Sequence, residues 1–414
     1  MHKLKILIIF LSLILSLRFY LFFNNQKEYE NGQAISFETT LLSEPQYLGD
    51  LQKLSVSLPE GQTVYITASA YPEYKYADRI LITGNLTKRV LNSKTIYSLN
   101  FPKIEAKITS KSIILAITSF IRQSVTETFN KNLPADLSSL LLGIVFGIKT
   151  PMSKEFTNQL RLSGVFHVIA ASGMNVTMVA GFLSAMFSLF LRRQIALFFS
   201  IFGVLFYAFL AGMQPSIMRA SLMGILVFSG QILGKQTMAG YGLFLVAFSM
   251  LFISPNLIFD VGFQLSFSAT FGLLYIRPIL GKINKIGVLA KKFPPLEDLL
   301  ITSSAQIATL PILLATFNTY SAWSIVVNAL VLWTVPPLMI LGALASVLGM
   351  VIPSLGSIFV YLCFPFLLYF QKTVLFFSSL PGALKVENLP FSLVLGYYLL
   401  LLAVVVYSIK VNND

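Results

Sequence analysis

The chain has 414 residues, of which 56% are hydrophobic and 11% charged, with a mean hydropathy of +0.76. Soluble globular proteins carry about 25% charged residues, so this composition excludes an ordinary water-soluble fold. One cysteine, Cys363, and two histidines, His2 and His167, exclude a disulfide framework, a multi-cysteine zinc site, a cysteine-ligated iron–sulfur cluster and histidine-rich metal chemistry; no metal or cofactor is expected.

The net charge of +13 divides into +3 over residues 1–18, +1 over 24–112 and +9 over 113–414. Two causes are compatible with that excess. One is the loading of cytoplasmic loops with Lys and Arg; the other is a polyanionic partner.

Residues 4–23 form an apolar run preceded by Lys3, long enough for one membrane span. A secretory signal begins similarly, but no small-residue cleavage site follows, only Phe22-Phe23-Asn24-Asn25. Residues 1–23 are therefore expected to be an uncleaved transmembrane anchor with a cytoplasmic N-terminus. Five short β-rich runs follow, at 34–42, 53–58, 63–68, 79–86 and 95–99, separated by turn clusters such as Pro59-Glu60-Gly61 and Gly84-Asn85. That spacing predicts a small closed β-barrel domain over 34–104, on the extracytoplasmic side. Tyr71, Tyr74 and Tyr76, near Lys75 and Arg79, are its best candidates for stacking on bases, although a surface hairpin explains them equally.

From residue 113 the pattern is helical. Ile113, Ile117, Phe120, Ile121, Val125 and Phe129 recur three to four apart, with Arg122, Glu127 and Lys131 between them, which predicts an amphipathic interfacial helix over 113–131. Leu137–Ile148 is apolar but too short to cross, so a re-entrant or half-helix is expected. Further spans read at 165–191, 194–211, 216–234, 238–254, 257–276, 299–317, 322–351 (broken by Pro336-Pro337), 355–378 and 391–409. Arg192-Arg193, Lys235 and the loop 277–292 alternate with nearly uncharged loops near Gly212 and Pro255, which places the basic loops in the cytoplasm. Whether 322–351 crosses once or twice is left open. The fold class is a polytopic α-helical membrane protein of residues 135–410 with a small β-barrel domain inserted near its N-terminus.

No Walker loop is present: Gly230-Gln-Ile-Leu-Gly234-Lys235-Gln236 has the wrong spacing and lacks the magnesium-binding hydroxyl. Ala171-Ser172-Gly173 has the nucleophile of an intramembrane serine protease without a histidine base from another helix. Only Asp260 lies within a span, where an aspartyl protease needs two facing aspartates. No catalytic residue is assigned.

Polar groups inside spans are costly and mark a pathway or a paired structural site. Three segments hold them. The first runs from Arg161 through His167 and Ser172 to Asn175; its Ser172-Gly173-Met174-Asn175 is a weak helix interior, suited to a broken helix. The second carries Arg219 about one turn behind Pro215, and the third carries Asp260, Gln264, Ser266, Ser268 and Thr270. Arg219 either lines an aqueous path, snorkels outward, or pairs with Asp260.

These blocks resemble a known family. Leu141-Leu142-Gly143 with Ser163-Gly164-Val165-Phe166-His167-Val168-Ile169-Ala170-Ala171-Ser172-Gly173-Met174-Asn175-Val176 is similar to the signature of the ComEC family of competence proteins. Pro215-Ser216-Ile217-Met218-Arg219-Ala220, Gly262-Phe263-Gln264-Leu265-Ser266-Phe267 with Ala269-Thr270, Gln306 with Ala308-Thr309-Leu310-Pro311, and Asn328-Ala329-Leu330 with Pro336 resemble further blocks in the family's order. The stretch Asp78–Leu86 resembles part of the family's N-terminal OB-fold domain, which implies an OB-fold-like barrel over 34–104. The resemblance implies a channel carrying single-stranded DNA across the cytoplasmic membrane during natural transformation. It also implies a cytoplasmic helicase or ATPase motor, DNA-binding competence proteins, the lipid bilayer and, for self-association, a homo-oligomer as partners. Two departures stand out. Asn175 occupies the place of the family's second signature histidine. The C-terminal metallo-β-lactamase-like domain of many relatives has no counterpart here, so degradation of the other strand is expected from a separate nuclease.

Two functions follow. In a DNA channel, Arg161, Arg219, His167, Ser172, Asn175, Asp260 and Gln264 belong to the DNA path. In a small-molecule or ion transporter, the broken helix at Ser172–Asn175 is the midplane site.

Overall fold

The computed structural model describes residues 2–25, 29–41, 45–48, 51–58, 62–74, 76–91, 94–106, 113–148, 150–168, 173–235, 238–282, 294–317, 319–385 and 390–411. The first helix, α1 (His2–Asn24), leaves Ile6, Ile9, Phe10, Leu13 and Leu17 exposed, as a lipid-facing helix requires. Its other side packs Leu15 and Phe19 against a cluster containing Val246, Met250 and Phe263.

All five expected strand runs form, and further strands appear. In chain order they are β1 (Ala34–Thr40), β2 (Gln46–Leu48), β3 (Leu51–Ser57), β4 (Thr63–Ser69), β5 (Arg79–Asn85), β6 (Thr87–Leu91), β7 (Lys94–Asn100) and β8 (Lys103–Ala106). They make two sheets, β1-β5-β8 and β2-β3-β4-β7-β6, rather than the expected closed barrel. The physical reason lies at the breaks: Leu86 separates β5 from β6, and Phe101, with φ +50°, turns the chain between β7 and β8. Each run therefore bends from one sheet to the other. Period-two alternation sends Leu54, Val56, Val64, Ile66, Ile80, Ile82 and Leu99 into one shared core. The one parallel pair is β4 with β7, Val64 opposite Tyr97.

The helical part begins with α2 (Ile113–Asn132) and α3 (Ala135–Phe146). The expected amphipathic helix forms, with one inversion. Arg122, placed on its polar face by sequence, is buried, while Ile113 and Phe120 are exposed. The expected half-helix also forms as α3, buried from Leu137 to Phe146 and ended by Gly147 at φ +66°, a conformation that favours glycine. Next come α4 (Lys154–Leu162), a 3₁₀ turn Phe166–Val168, α5 (Gly173–Ser188), α6 (Arg193–Leu210), α7 (Pro215–Ile232) and α8 (Ala239–Ile253). Then follow α9 (Val261–Phe271), a π-helical turn Gly272–Ile276 and α10 (Arg277–Lys282). Gly272 crosses the next helix so closely that an added Cβ would lie 2.9 Å from the Cβ of Ala308.

The last elements are α11 (Pro294–Phe317), α12 (Ser324–Val331), α13 (Val335–Val351), α14 (Pro353–Ser378) and α15 (Phe391–Val411). The break expected at Pro336-Pro337 falls at a 3₁₀ turn Leu332–Thr334, leaving both prolines in the first turn of α13, where their missing N–H groups cost nothing. A short ribbon of β9 (Thr319–Ser321) with β10 (Ala383–Lys385) brings the two ends of the α12–α14 segment back together. Among the described residues six helical segments are long and apolar enough to cross a membrane: Ile6–Asn24, Phe166–Ser188, Arg193–Leu210, Leu296–Phe317, Ser324–Val351 and Pro353–Ser378. The chain is a multi-pass membrane protein.

Pro311 lies inside α11 and has no N–H for the carbonyl of Ile307 four residues earlier. Two adjacent tyrosines of α15 fill in. The Tyr397 hydroxyl donates to the Ile307 carbonyl at 2.8 Å, and the Tyr398 hydroxyl to that of Ala308 at 3.0 Å. Tyr397→Phe is therefore expected to cost roughly 0.5–1.5 kcal/mol. In a Pro311→Ala background the same change should cost close to nothing, because the alanine's backbone N–H would supply the missing donor. Thermal unfolding of the detergent-solubilised protein across this double-mutant cycle is the check; equal losses in both backgrounds would refute the repair.

Candidate functional site

The polar segments singled out from sequence converge on α5, α7 and α9, but not as one cluster. Arg219, one turn into α7, is the centre. Its Nε donates to the Ser266 hydroxyl at 2.7 Å, and one Nη donates to the Thr270 hydroxyl. The guanidinium carbon lies 6.0 Å from the Phe267 ring centroid. On the other side it meets the first residue of α5: a Cβ added at Gly173 would lie 2.7 Å from its second Nη. Gly173 thus leaves the space that the guanidinium fills.

Asp260 does not join it. That carboxylate caps α9, accepting from the Phe263 backbone N–H at 2.7 Å, and among the described residues no carboxylate forms an ion pair with Arg219. The alternative of an Arg219–Asp260 pair is overturned for a geometric reason: Asp260 is at the N-cap, whereas Ser266 and Thr270 sit two to three turns along the helix. Gln264 turns back on its own segment and donates to the Ile258 carbonyl at 2.7 Å. Hydroxyls that sequence reasoning left among background polar groups are therefore the ones that hold the cation.

Arg161 ends α4, with its guanidinium 5.2 Å from the Phe166 ring centroid. His167, in the adjoining 3₁₀ turn, is exposed. Ser172 lies outside the described residues. Asn175 is buried and points away from Arg219, its side-chain amide donating to the Ile144 carbonyl of α3 at 2.6 Å. Two further donors meet the same end of α3: the Tyr207 hydroxyl reaches the Val145 carbonyl at 3.0 Å, and the Gln214 amide reaches that of Gly147 at 3.1 Å.

In the β-rich part, Tyr74 and Tyr76 are buried, and burial pushes the Tyr74 hydroxyl pKa up. Tyr76 donates to the Phe209 carbonyl at 3.3 Å, and its ring lies 4.3 Å beneath the Arg122 guanidinium. Arg122 itself donates to the Leu210 carbonyl at 2.5 Å. These two side chains thus fasten the β-rich part to the end of α6 and are not free to stack on a ligand. Tyr71 is exposed, Arg79 pairs with Glu38 at 2.5 Å, and Lys75 lies outside the described residues. Sequence reasoning missed Tyr65, exposed on β4, and Phe101, exposed in the turn after β7, whose N–H bonds the Thr67 carbonyl of β4 at 2.7 Å. Strict alternation along β4, with Val64 and Ile66 inward, is the signal that would have found Tyr65. Among the described residues no three His, Cys, Asp or Glu side chains converge to hold a metal ion.

The protein is thus multi-pass and helical, with a β-rich part fastened to the end of α6 and the Arg219 guanidinium held between α5, α7 and α9 by neutral hydroxyls. The model of the family described as "Competence protein" matches residues 144–411, and the chain belongs to that family. A segment of 230 residues, 55% of this chain, is 27% identical to "ComE operon protein 3" of Bacillus subtilis (strain 168) and covers 28% of that protein. A second match, 27% identical over 234 residues and 53% of this chain, covers 55% of an uncharacterized protein of Aquifex aeolicus (strain VF5). The chain thus matches less than two thirds of the length of either relative. No solved structure matches it significantly.

The geometry sets an expectation for the charged pair. Asn caps a helix as well as Asp does, so Asp260→Asn should leave membrane abundance and thermal stability within about 0.5 kcal/mol of wild type. Arg219→Gln should keep membrane abundance near wild type, and adding Asp260→Asn should not change it. A loss of abundance in Arg219→Gln that the double variant recovers, read by quantitative immunoblot, would restore the ion pair.

Proposed function

We propose that this protein is a membrane channel carrying single-stranded DNA across the cytoplasmic membrane during natural transformation. One observation carries the reading: Arg219 is held between α5, α7 and α9 by Ser266 and Thr270, and among the described residues no carboxylate pairs with it. A cation held among apolar helices is costly unless it has a counter-charge or a purpose. A strand with a phosphate at every nucleotide supplies the counter-charge as it passes. Membership of a family described as "Competence protein" supports competence as the process in which the channel works.

In this reading Arg219, Arg161, the accessible His167 and Ser172 line the path. The residues 34–104 form an OB-fold-like unit on the extracytoplasmic side. The sheet order supports this: β2-β3-β4-β7-β6 makes one sheet, with β4 and β7 parallel, and β1-β5-β8 the other, over one shared core. Tyr65 and Phe101, flanked by Lys53 on the neighbouring strand, offer two rings and a positive charge to an incoming strand. No Walker loop is present in the sequence, and in this reading direction comes from a cytoplasmic motor or from capture of the emerging strand.

Uptake of end-labelled DNA by cells carrying single variants tests this. Arg219→Gln should lower uptake at least tenfold at unchanged membrane abundance, and Arg219→Lys, which keeps the charge but loses the forked contacts to Ser266 and Thr270, should fall between. Wild-type uptake by Arg219→Gln would refute the reading.

A further inference from the structure

The side-chain amide of Asn175, the hydroxyl of Tyr207 and the amide of Gln214 come from α5, α6 and the residue before α7, and all three donate to the end of one short helix, α3. Their acceptors are the carbonyls of Ile144, Val145 and Gly147. The last intrahelical bonds of α3 run from Gly147 to Gly143 and from Ile148 to Leu142, so these three carbonyls lie past them. From Leu137 to Phe146 the helix is buried, and water is not at hand to bond that end. A buried acceptor left unpaired destabilises the fold.

We propose that Asn175 is a positioning residue. It does not touch the cargo; with Tyr207 and Gln214 it fixes the register of α5, α6 and α7 on the C-terminal end of α3. What the position requires is an uncharged donor. Asn175 is 2% exposed, which is incompatible with contact to a passing strand. Gly173, two residues earlier, faces Arg219. The first turn of α5 therefore has two jobs on two sides: room for the cation on one, and a donor for α3 on the other. Transport depends on Asn175 through the placement of Gly173 against Arg219, and that dependence rests on the transport reading above. The hydrogen-bonding role does not.

The full-length protein in detergent separates the possibilities. Asn175→Leu should lower the unfolding midpoint by roughly 2–4 °C, and so should Tyr207→Phe. Asn175→His, which keeps a ring N–H, should recover most of the loss. Asn175→Asp adds a pH profile: the protonated acid donates and the carboxylate only accepts, so its midpoint should fall relative to wild type as pH rises. The Asn175→Leu deficit should stay flat. Tyr207 and Arg219 are the other titratable groups facing this turn from α6 and α7; both keep their ordinary protonation in the range scanned, about pH 5–8. DNA uptake is measured on the same variants and should follow the midpoints, with Asn175→His restoring it. Uptake lost in Asn175→Leu at an unchanged midpoint would overturn the assignment and return Asn175 to the path. A midpoint for Asn175→Asp that runs parallel to wild type at every pH would overturn it too. Altered midpoints with uptake unchanged in both Asn175→Leu and Arg219→Gln would leave the donor role standing and refute the channel reading instead.

Discussion

In hydrocarbon every backbone carbonyl has to find a donor inside the protein, and a helix that stops short leaves its last carbonyls without one. Much of this molecule follows from that constraint. At several helix ends and breaks a side chain from another element donates to a carbonyl there. Asn175, Tyr207 and Gln214 serve the end of α3, Arg122 and Tyr76 the end of α6, Arg18 the Phe252 carbonyl near the end of α8, and Tyr397 and Tyr398 the proline break in α11. These bonds join segments far apart in sequence, so the same interactions that satisfy the backbone fix how the helices sit together.

Arg219 stands apart from this pattern. Arg122 and Arg18 give their donors to carbonyls at helix ends, where a cation also meets the negative end of the helix dipole. Arg219 gives its donors to hydroxyls along the side of α9, and its remaining amino group lies against Gly173 at the start of α5. A helix start is positive, so the local field disfavours the charge unless an anion is near. That contrast between three arginines, equal in sequence, sets the site apart from structural repair.

The sequence made the class of protein legible because span length and charge content depend on composition alone. Strand runs were legible for the same kind of reason: Val64, Ile66, Ile80 and Ile82 alternate with exposed neighbours. The sheets' separation was not, since it depends on bends at Leu86 and Phe101 that no local pattern marks. Partners of buried polar groups were not legible either. Arg219 and Asp260 looked like a pair because both are charged and within spans; only the helix register shows that Ser266 and Thr270, not Asp260, reach the guanidinium. Arg122 looked like solvent-facing charge because its neighbours on α2 are apolar, while its actual partners, Tyr76 and Leu210, are separated from it by 46 and 88 residues. Tyr74 and Tyr76 looked like a stacking platform and are core and fastening.

The central claim is that a polyanion passes Arg219 inside the membrane. Its most direct test is flux: the purified protein is reconstituted in liposomes that enclose a single-strand-binding protein, and a labelled oligonucleotide is added outside. The account predicts that the label accumulates in a nuclease-protected form and that Arg219→Gln vesicles of equal protein content retain at least tenfold less. Equal accumulation with both proteins, or leakage of small anions and no oligonucleotide through the wild type, would contradict it.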